Sequence, residues 1–365
     1  MNASHTPDIG LTQSTVISVD AMGGDLGPAA VVAGAARSAR KNPDIAFILH
    51  GPETELAPLV AKYPELQGKC TVHNAVGVVQ MSDKPSQVMR SGKDTSMWSA
   101  IDAVRDKSAA VCVSCGNTGA LMALSMVRLR KLPGVNRPAI AVMWPSRNPQ
   151  GYNVMLDVGA DIRADGEDLA NYALMGVAYA REGLGLVRPR VGLLNVGTEE
   201  NKGRAELKDA QERMEKMQRD AGFDYVGFVE GGDIGGTRCD VIVTDGFTGN
   251  IALKTGEGTA KLIGDFTRDA FTHSLWSKLG ALCARGSLMR LRKRMDPRRS
   301  NGGVFIGLNG TVVKSHGSAD ELAVSSAIKL AFRLAQSGFT DHLAARVASA
   351  AALAQDDPQP QQNQE

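Results

Sequence analysis

The chain has 365 residues, 43% of them hydrophobic and 22% charged, with 41 basic side chains against 39 acidic ones and a net charge of +2. That is enough chain for one large or two medium globular domains, and the balanced charge excludes a bulk nucleic-acid coat. Five cysteines at irregular spacing exclude a secreted disulfide framework and suit reduced thiols, and no apolar run approaches the 18 residues of a membrane span.

In chain order, residues 1–14 carry no apolar core and are expected to form a disordered leader rather than a signal peptide. A β-branched run at 16–20 predicts a first strand, followed by a glycine-rich turn and a helix over 28–41. Further strands are predicted at 45–50, 109–114, 154–157, 191–195, 225–228 and 241–244. Helices are predicted from 118 and over 165–182, 204–219 and 320–336. Alternating strands and helices imply a mostly parallel, doubly wound α/β sheet covered on both faces. No linker divides the chain, so residues 15–350 read as one domain, and the Pro/Gln-rich residues 351–365 as a disordered tail.

Ligands of such folds sit beyond the carboxyl ends of the strands, and five predicted strand ends here are polar and glycine-rich. They are Asp20-Ala21-Met22-Gly23-Gly24-Asp25, Ser114-Cys115-Gly116-Asn117-Thr118-Gly119, Asp157-Val158-Gly159-Ala160-Asp161, Asn195-Val196-Gly197-Thr198-Glu199-Glu200 and Thr244-Asp245-Gly246-Phe247-Thr248-Gly249-Asn250. Gly116, Asn117, Thr118 and Gly119 open a helix, whose free N–H groups attract phosphate; capping alone accounts for Asn117 and Thr118 equally well. Lys93, in a polar loop, and Lys254, beyond Asp245, are candidate phosphate cations, with surface roles as the alternative. His316 and Ser318 precede a helix and are candidates for proton transfer, or Ser318 simply caps that helix. Asp20, Asp157 and Asp245 are read as orienting donors, and Asn195 and Lys202 as cleft-lining residues. The dinucleotide fingerprint, the phosphate loop with its lysine, the nucleophile elbow and the zinc-protease motif are all missing. Cys112-x-x-Cys115 reads as packing rather than a redox pair, and neither metal nor cofactor is expected.

Residues 258–300 read as an amphipathic basic helical segment. Leu275, Leu279 and Leu282 share a helical face beside Trp276, and 285–299 holds seven basic residues, among them Arg290, Arg292, Lys293 and Arg294, against one acid. This composition suits an anionic lipid surface or an acidic protein; dimer packing with a solvated basic face is the alternative.

Taken together, these motifs resemble the bacterial phosphate acyltransferase (PlsX) family. The resemblance rests on Ile17-Ser-Val-Asp-Ala-Met-Gly-Gly-Asp-Leu-Gly-Pro28, Lys84-Pro-Ser, Lys93-Asp-Thr-Ser-Met, Val113-Ser-Cys-Gly-Asn-Thr-Gly-Ala-Leu-Met, Leu193-Leu-Asn-Val-Gly-Thr-Glu-Glu-Asn-Lys-Gly203, Phe228-Val-Glu-Gly-Gly-Asp233, Val243-Thr-Asp-Gly-Phe-Thr-Gly-Asn250 and Lys314-Ser-His-Gly-Ser318, covering about residues 15–340 in order. Cys115 departs from the small residue the family more often has there. The resemblance implies an isocitrate dehydrogenase/phosphotransacetylase-like fold and reversible transfer of a fatty acyl group from acyl carrier protein to inorganic phosphate. It also implies a homodimer, peripheral contact with the inner face of the cell membrane, and hand-over of acyl phosphate to a membrane glycerol-3-phosphate acyltransferase in phospholipid synthesis.

A phosphate dianion and a thiol leaving group need little proton transfer. Such an enzyme supplies proximity and electrostatics instead. Lys93 and Asn117 then join His316 and Ser318 as catalytic candidates. The rival readings are a short-chain enzyme using a coenzyme A thioester, an NAD(P)-linked dehydrogenase on a similar scaffold, and a non-catalytic lipid-surface binder.

Overall fold

A computed structural model of the chain describes residues 14–199, 201–296, 298 and 302–355. Eleven strands form one sheet, in the order β3-β2-β1-β4-β11-β10-β5-β6-β9-β7-β8. In chain order these are β1 (Thr15–Asp20), β2 (Ile45–Gly51), β3 (Cys70–Asn74), β4 (Val111–Ser114), β5 (Ala139–Pro145), β6 (Tyr152–Leu156), β7 (Arg190–Leu194), β8 (Asp224–Val229), β9 (Val241–Val243), β10 (Gly303–Ile306) and β11 (Thr311–Lys314). The helices are α1 (Gly27–Lys41), α2 (Glu53–Val60), α3 (Pro85–Ser91), α4 (Ser96–Arg105), α5 (Thr118–Arg128), α6 (Gly166–Leu184), α7 (Ala205–Ala221), α8 (Gly246–Thr272), α9 (Leu275–Cys283), α10 (Arg285–Met295), α11 (Glu321–Gln336) and α12 (Phe339–Gln355).

Strand periodicity divides the core in two. Val111 and Val113, Ala139 and Ala141, Val154 and Leu156, and Val241 and Val243 pack into one core cluster, covered by α1, α6, α7 and α11. The alternate residues Cys112, Ile140, Met155 and Ile242 pack into a second, with α4 and α5. Helices start where the sequence supplies caps: Asp165 and Asp168 form a capping box on α6, and Gly185 ends that helix at φ 69°.

Pairing directions matter most for function. β3, β2, β1, β4 and β11 are parallel to one another, and so are β6, β9, β7 and β8. Between these blocks lie three antiparallel ladders, β11–β10, β10–β5 and β5–β6. Three reversals make the two blocks run in opposite directions. The five polar strand ends therefore do not share one edge, as expected from a mostly parallel sheet. Those of β1 and β4 lie at one edge, and those of β6, β7 and β9 at the other.

One further expectation changes. The helix ahead of the tail continues to Gln355, through residues 351–355 assigned to a disordered tail; its sequence, FTDHLAARVASAAALAQ, is rich in the best helix formers. Residues 1–13 and 356–365 lie outside the described residues.

Candidate active site

The β1 end builds one corner. Asp20 is 1% exposed, and its carboxylate accepts from Ser96 Oγ at 2.6 Å and Ser114 Oγ at 2.7 Å. Burial raises its pKa, against hydrogen bonds from the two serines and the Met22 and Gly23 N–H groups. Ser114 Oγ in turn accepts from the Gly116 N–H at 3.0 Å. The two turns meet backbone to backbone: a Cβ on Gly23 would lie 2.6 Å from Gly116 N and 2.7 Å from Asp20 Oδ2. A third turn joins them, because Asp25 N donates to Gly317 O at 2.7 Å.

This network presents the start of α5. Asn117 is its N-cap, with Oδ1 accepting from Ala120 N at 3.0 Å, while Nδ2 donates to Met81 O and Asp83 O, both at 2.9 Å. The asparagine amide is thus committed to the helix and the loop over it. Its role at the corner is to position the Thr118 and Gly119 N–H groups, which have no acceptor inside the helix.

Lys314 was not among the sequence candidates, yet it ends β11 directly opposite Ser114. It is 9% exposed, and its ammonium donates to Cys115 O at 3.3 Å and to Ser315 O. Burial lowers its pKa to about 8; Cys115, Asp20 and Asp25 oppose that shift, and Lys254 adds to it. A lysine has three donors, so one N–H remains beyond the two carbonyls. The signal lay in the run Thr311-Val-Val-Lys314, whose last residue is buried once four residues are accepted as a strand.

α8 starts at the opposite edge and crosses the sheet face, so that Gly256 rides against the Trp144 indole of β5. This crossing carries Lys254, half-exposed and paired with Glu257 at 2.8 Å, toward Lys314. His316 is exposed, and its Nδ1 accepts from Ser318 N at 3.2 Å and pairs with Ser318 Oγ at 2.9 Å. An N–H can only donate, so the neutral imidazole carries its proton on Nε2. Ser318 is not the cap of α11; Asp320 is, accepting from Ala323 N.

The remaining candidates fall elsewhere. Lys93 lines a separate 240 Å³ depression with His73, Asn74 and Ser99. At the opposite edge, Asp157 is fully buried and accepts from the N–H groups of Ile140, Gly159, Ala160 and Asp161; burial, opposed by those bonds, raises its pKa to about 6. Asp245 caps α8 through Thr248 N and accepts from Arg204 at 2.5 Å. Burial pushes its pKa up, but these bonds outweigh it and hold it below the ordinary value. Asn195 Nδ2 donates to Lys202 O, and Lys202 pairs with Glu199 at 2.7 Å. These four residues order turns at their own edge, apart from Asp20 and Lys314.

Gly249 shows how tightly that edge is built, because a Cβ there would run into the Asp157 carbonyl oxygen. Gly249→Ala is expected to lower stability by about 3 kcal/mol through overpacking against backbone. A urea midpoint equal to wild type would refute that packing.

Cys112 and Cys115 are buried, and burial raises both thiol pKa values, that of Cys115 to about 11, so neither is a ready thiolate. Among the described residues, no group of three or more His, Cys, Asp or Glu side chains is placed to hold a metal ion.

Over the described part of residues 258–300 the chain is helical in α8, α9 and α10, and little of it is buried: Gly246 and Gly249 are the buried residues of α8, and α9 has none. Leu275, Trp276, Leu279 and Leu282 are 83%, 81%, 52% and 65% exposed. Arg290 and Arg292 are exposed on α10, and the side chains of Lys293 and Arg294 lie outside the described ones. No helix among the described residues is long and apolar enough to cross a membrane.

Comparison with known proteins adds two findings. The family described as "Fatty acid synthesis protein" matches residues 15–342. The chain is 70% identical over 339 residues to a protein of Paracoccus denitrificans (strain Pd 1222) named "Phosphate acyltransferase", covering 93% of this chain and 92% of that one. It is 69% identical over 344 residues to a namesake from Cereibacter sphaeroides (strain ATCC 17025 / ATH 2.4.3), covering 94% of each. In fold it is similar to a phosphotransacetylase from Streptococcus pyogenes, with a TM-score of 0.60 at 18% identity over 89% of this chain and 94% of that one. It is also similar to the EutD phosphotransacetylase from Staphylococcus aureus, with a TM-score of 0.56 at 14% identity over 89% and 95%.

Proposed function

This chain belongs to the phosphate acyltransferase family, and we propose that it moves a fatty acyl group from the thioester of an acyl carrier protein to inorganic phosphate at the Asp20–Lys314 corner. The observation that carries the assignment of the site is the buried ammonium of Lys314 beside the start of α5. A fixed cation and a helix N-terminus at one corner suit a small dianion.

In this reading the Thr118 and Gly119 N–H groups and Lys314 hold phosphate, with Lys254 adding charge from α8. A phosphate oxygen attacks the thioester carbonyl carbon, a C–O bond forms, and the carbonyl oxygen becomes an oxyanion. Collapse breaks the C–S bond and releases the carrier thiolate, which takes its proton from water or from His316 Nε2. Ser318 fixes the tautomer of His316. Asp20, through Ser114 and Gly116, positions the turn rather than attacking. The fixed charges supply transition-state stabilisation, and no nucleophilic side chain is needed.

The test is incubation with long-chain acyl carrier protein, with and without phosphate. Free thiol and hydroxylamine-trappable acyl phosphate are expected to appear only with phosphate. Faster turnover of acetyl-coenzyme A would favour the short-chain reading, and cofactor-dependent absorbance the dehydrogenase reading.

The protruding helices support peripheral binding to the inner face of an anionic membrane, where a membrane glycerol-3-phosphate acyltransferase would take the acyl phosphate. Leu275, Trp276, Leu279 and Leu282 would enter the headgroup boundary, with Arg290 and Arg292 at anionic lipid. Trp276→Glu/Leu279→Glu is expected to reduce sedimentation with phosphatidylglycerol vesicles at least about tenfold, leaving soluble turnover unchanged; undiminished sedimentation would remove the arm from this role. Exposed Leu262, Ile263 and Phe266 on α8 offer a contact for a second copy, and a single-chain mass in sedimentation equilibrium would remove the homodimer.

A further inference from the structure

A cavity of about 560 Å³ opens at the far end of α5, lined in part by Met122, Met126, Arg130, Lys131, Arg137 and Ala160. α5 returns from the β4 end across the sheet, so this mouth lies at the edge opposite the Asp20–Lys314 corner. Arg137 is spent on Asp161 at 2.7 Å and Asp168 at 3.3 Å. Lys131 Nζ donates to a carbonyl, Asn136 O, at 2.7 Å. Neither Lys131 nor Arg130 makes an ion pair among the described residues, so the mouth carries two unpaired cations against one exposed acid, Glu167, which accepts from Asn136 Nδ2 at 2.8 Å.

Arg130 is also held at φ 63°, in the left-handed region that non-glycine residues seldom adopt. Its backbone is pinned there by Asn309 N donating to Arg130 O at 3.0 Å, and the next residue, Lys131, bridges Leu308. Glycine would hold this turn with less strain, and strain of this kind concentrates at binding sites. Below the cations, Met122 and Met126 lie one turn apart on α5 and give the cavity an adaptable apolar wall. The same helix leads back to Thr118 at the anion corner, roughly 15 Å away at 1.5 Å per residue.

We infer that this mouth admits the phosphopantetheine arm of the acyl carrier, with the arm's phosphodiester and the carrier's acidic surface against Arg130 and Lys131. The methylene and amide chain passes over Met126 and Met122, and the thioester arrives near Thr118. The inference rests on the acyl-carrier reading above and adds to it the place where the carrier docks.

The measurement is the KM for acyl carrier protein at saturating phosphate and low ionic strength. Arg130→Glu/Lys131→Glu is expected to raise it at least about tenfold, with the difference shrinking as salt is added, while the KM for phosphate stays within about twofold. Arg130→Gly relieves the strained turn, so it is expected to raise the carrier KM about threefold with Tm at or above wild type. A purely structural arginine would not give that pair of signs. Arg290→Glu/Arg292→Glu is expected to leave the carrier KM unchanged. An unchanged carrier KM in both Arg130 variants, or an increase seen only in the α10 variant, overturns the mouth. A wild-type enzyme that releases no thiol with phosphate overturns the reaction itself, which is a separate failure.

Discussion

Lys314→Met is expected to lower kcat/KM for phosphate by about 10²–10³-fold, the range lost when a fixed transition-state donor is removed, while the fold survives. Methionine fills the buried stem of the lysine and removes a charge that burial disfavours; only the bonds to Cys115 O and Ser315 O are lost. The pH dependence follows from the lowered pKa. If the ammonium form holds phosphate, activity falls as pH rises through about 8 rather than through the ordinary 10.5. Stability moves the other way. Between about 8 and 10.5 the unfolded chain binds the proton more tightly than the folded one, so this lysine makes stability rise with pH across that window. Its contribution is complete above the unfolded value and lost as pH falls through the folded one. Lys314→Met should therefore abolish both the alkaline loss of rate and that slope. A variant with wild-type kinetics for phosphate would remove Lys314 from the site.

Gly23→Ala is expected to cost about 2–3 kcal/mol of stability and about a hundredfold in kcat/KM, the effect of displacing reacting groups by about 1 Å. The added methyl would meet Gly116 N and Asp20 Oδ2, one a backbone atom and the other fixed by Ser114 on a carboxylate whose second oxygen is held by Ser96, so neither can yield cheaply. Gly116→Ala is the useful contrast. Its nearest neighbour is the Met97 Cε atom at 2.5 Å, the end of a flexible chain, so its stability loss should be smaller. Equal urea midpoints for Gly23→Ala and wild type would show that the two turns are not locked together.

What the sequence discloses is local chemistry. β-Branched runs ending in Gly, Asp or Asn are enough to place β1, β2, β4, β6, β7, β8 and β9, and Pro28 with an alanine-rich stretch is enough for α1. The four-residue β10 and β11 carry too little pattern to read, and pairing direction is not written locally at all. That is why Asp157, Asn195 and Asp245 look equivalent to Asp20 in sequence while three antiparallel ladders send them to the other edge. Asn117 is readable as a helix cap, but its grip on Met81 O and Asp83 O joins residues more than 30 apart. Lys314 stands in plain view beside His316 and gains its meaning only from burial. The chemistry of the family, by contrast, rests on a run of whole motifs rather than on any single turn.

In the proposed reaction the dianion sits at the Asp20–Lys314 corner. Crystals grown in phosphate, then exchanged into tungstate for its anomalous signal, test it most directly. An anion is expected within hydrogen-bonding distance of Lys314 Nζ and the Thr118 and Gly119 N–H groups, absent in Lys314→Met. An anion bound instead among Asp157, Asn195 and Lys202, with the Lys314 corner empty, would contradict it.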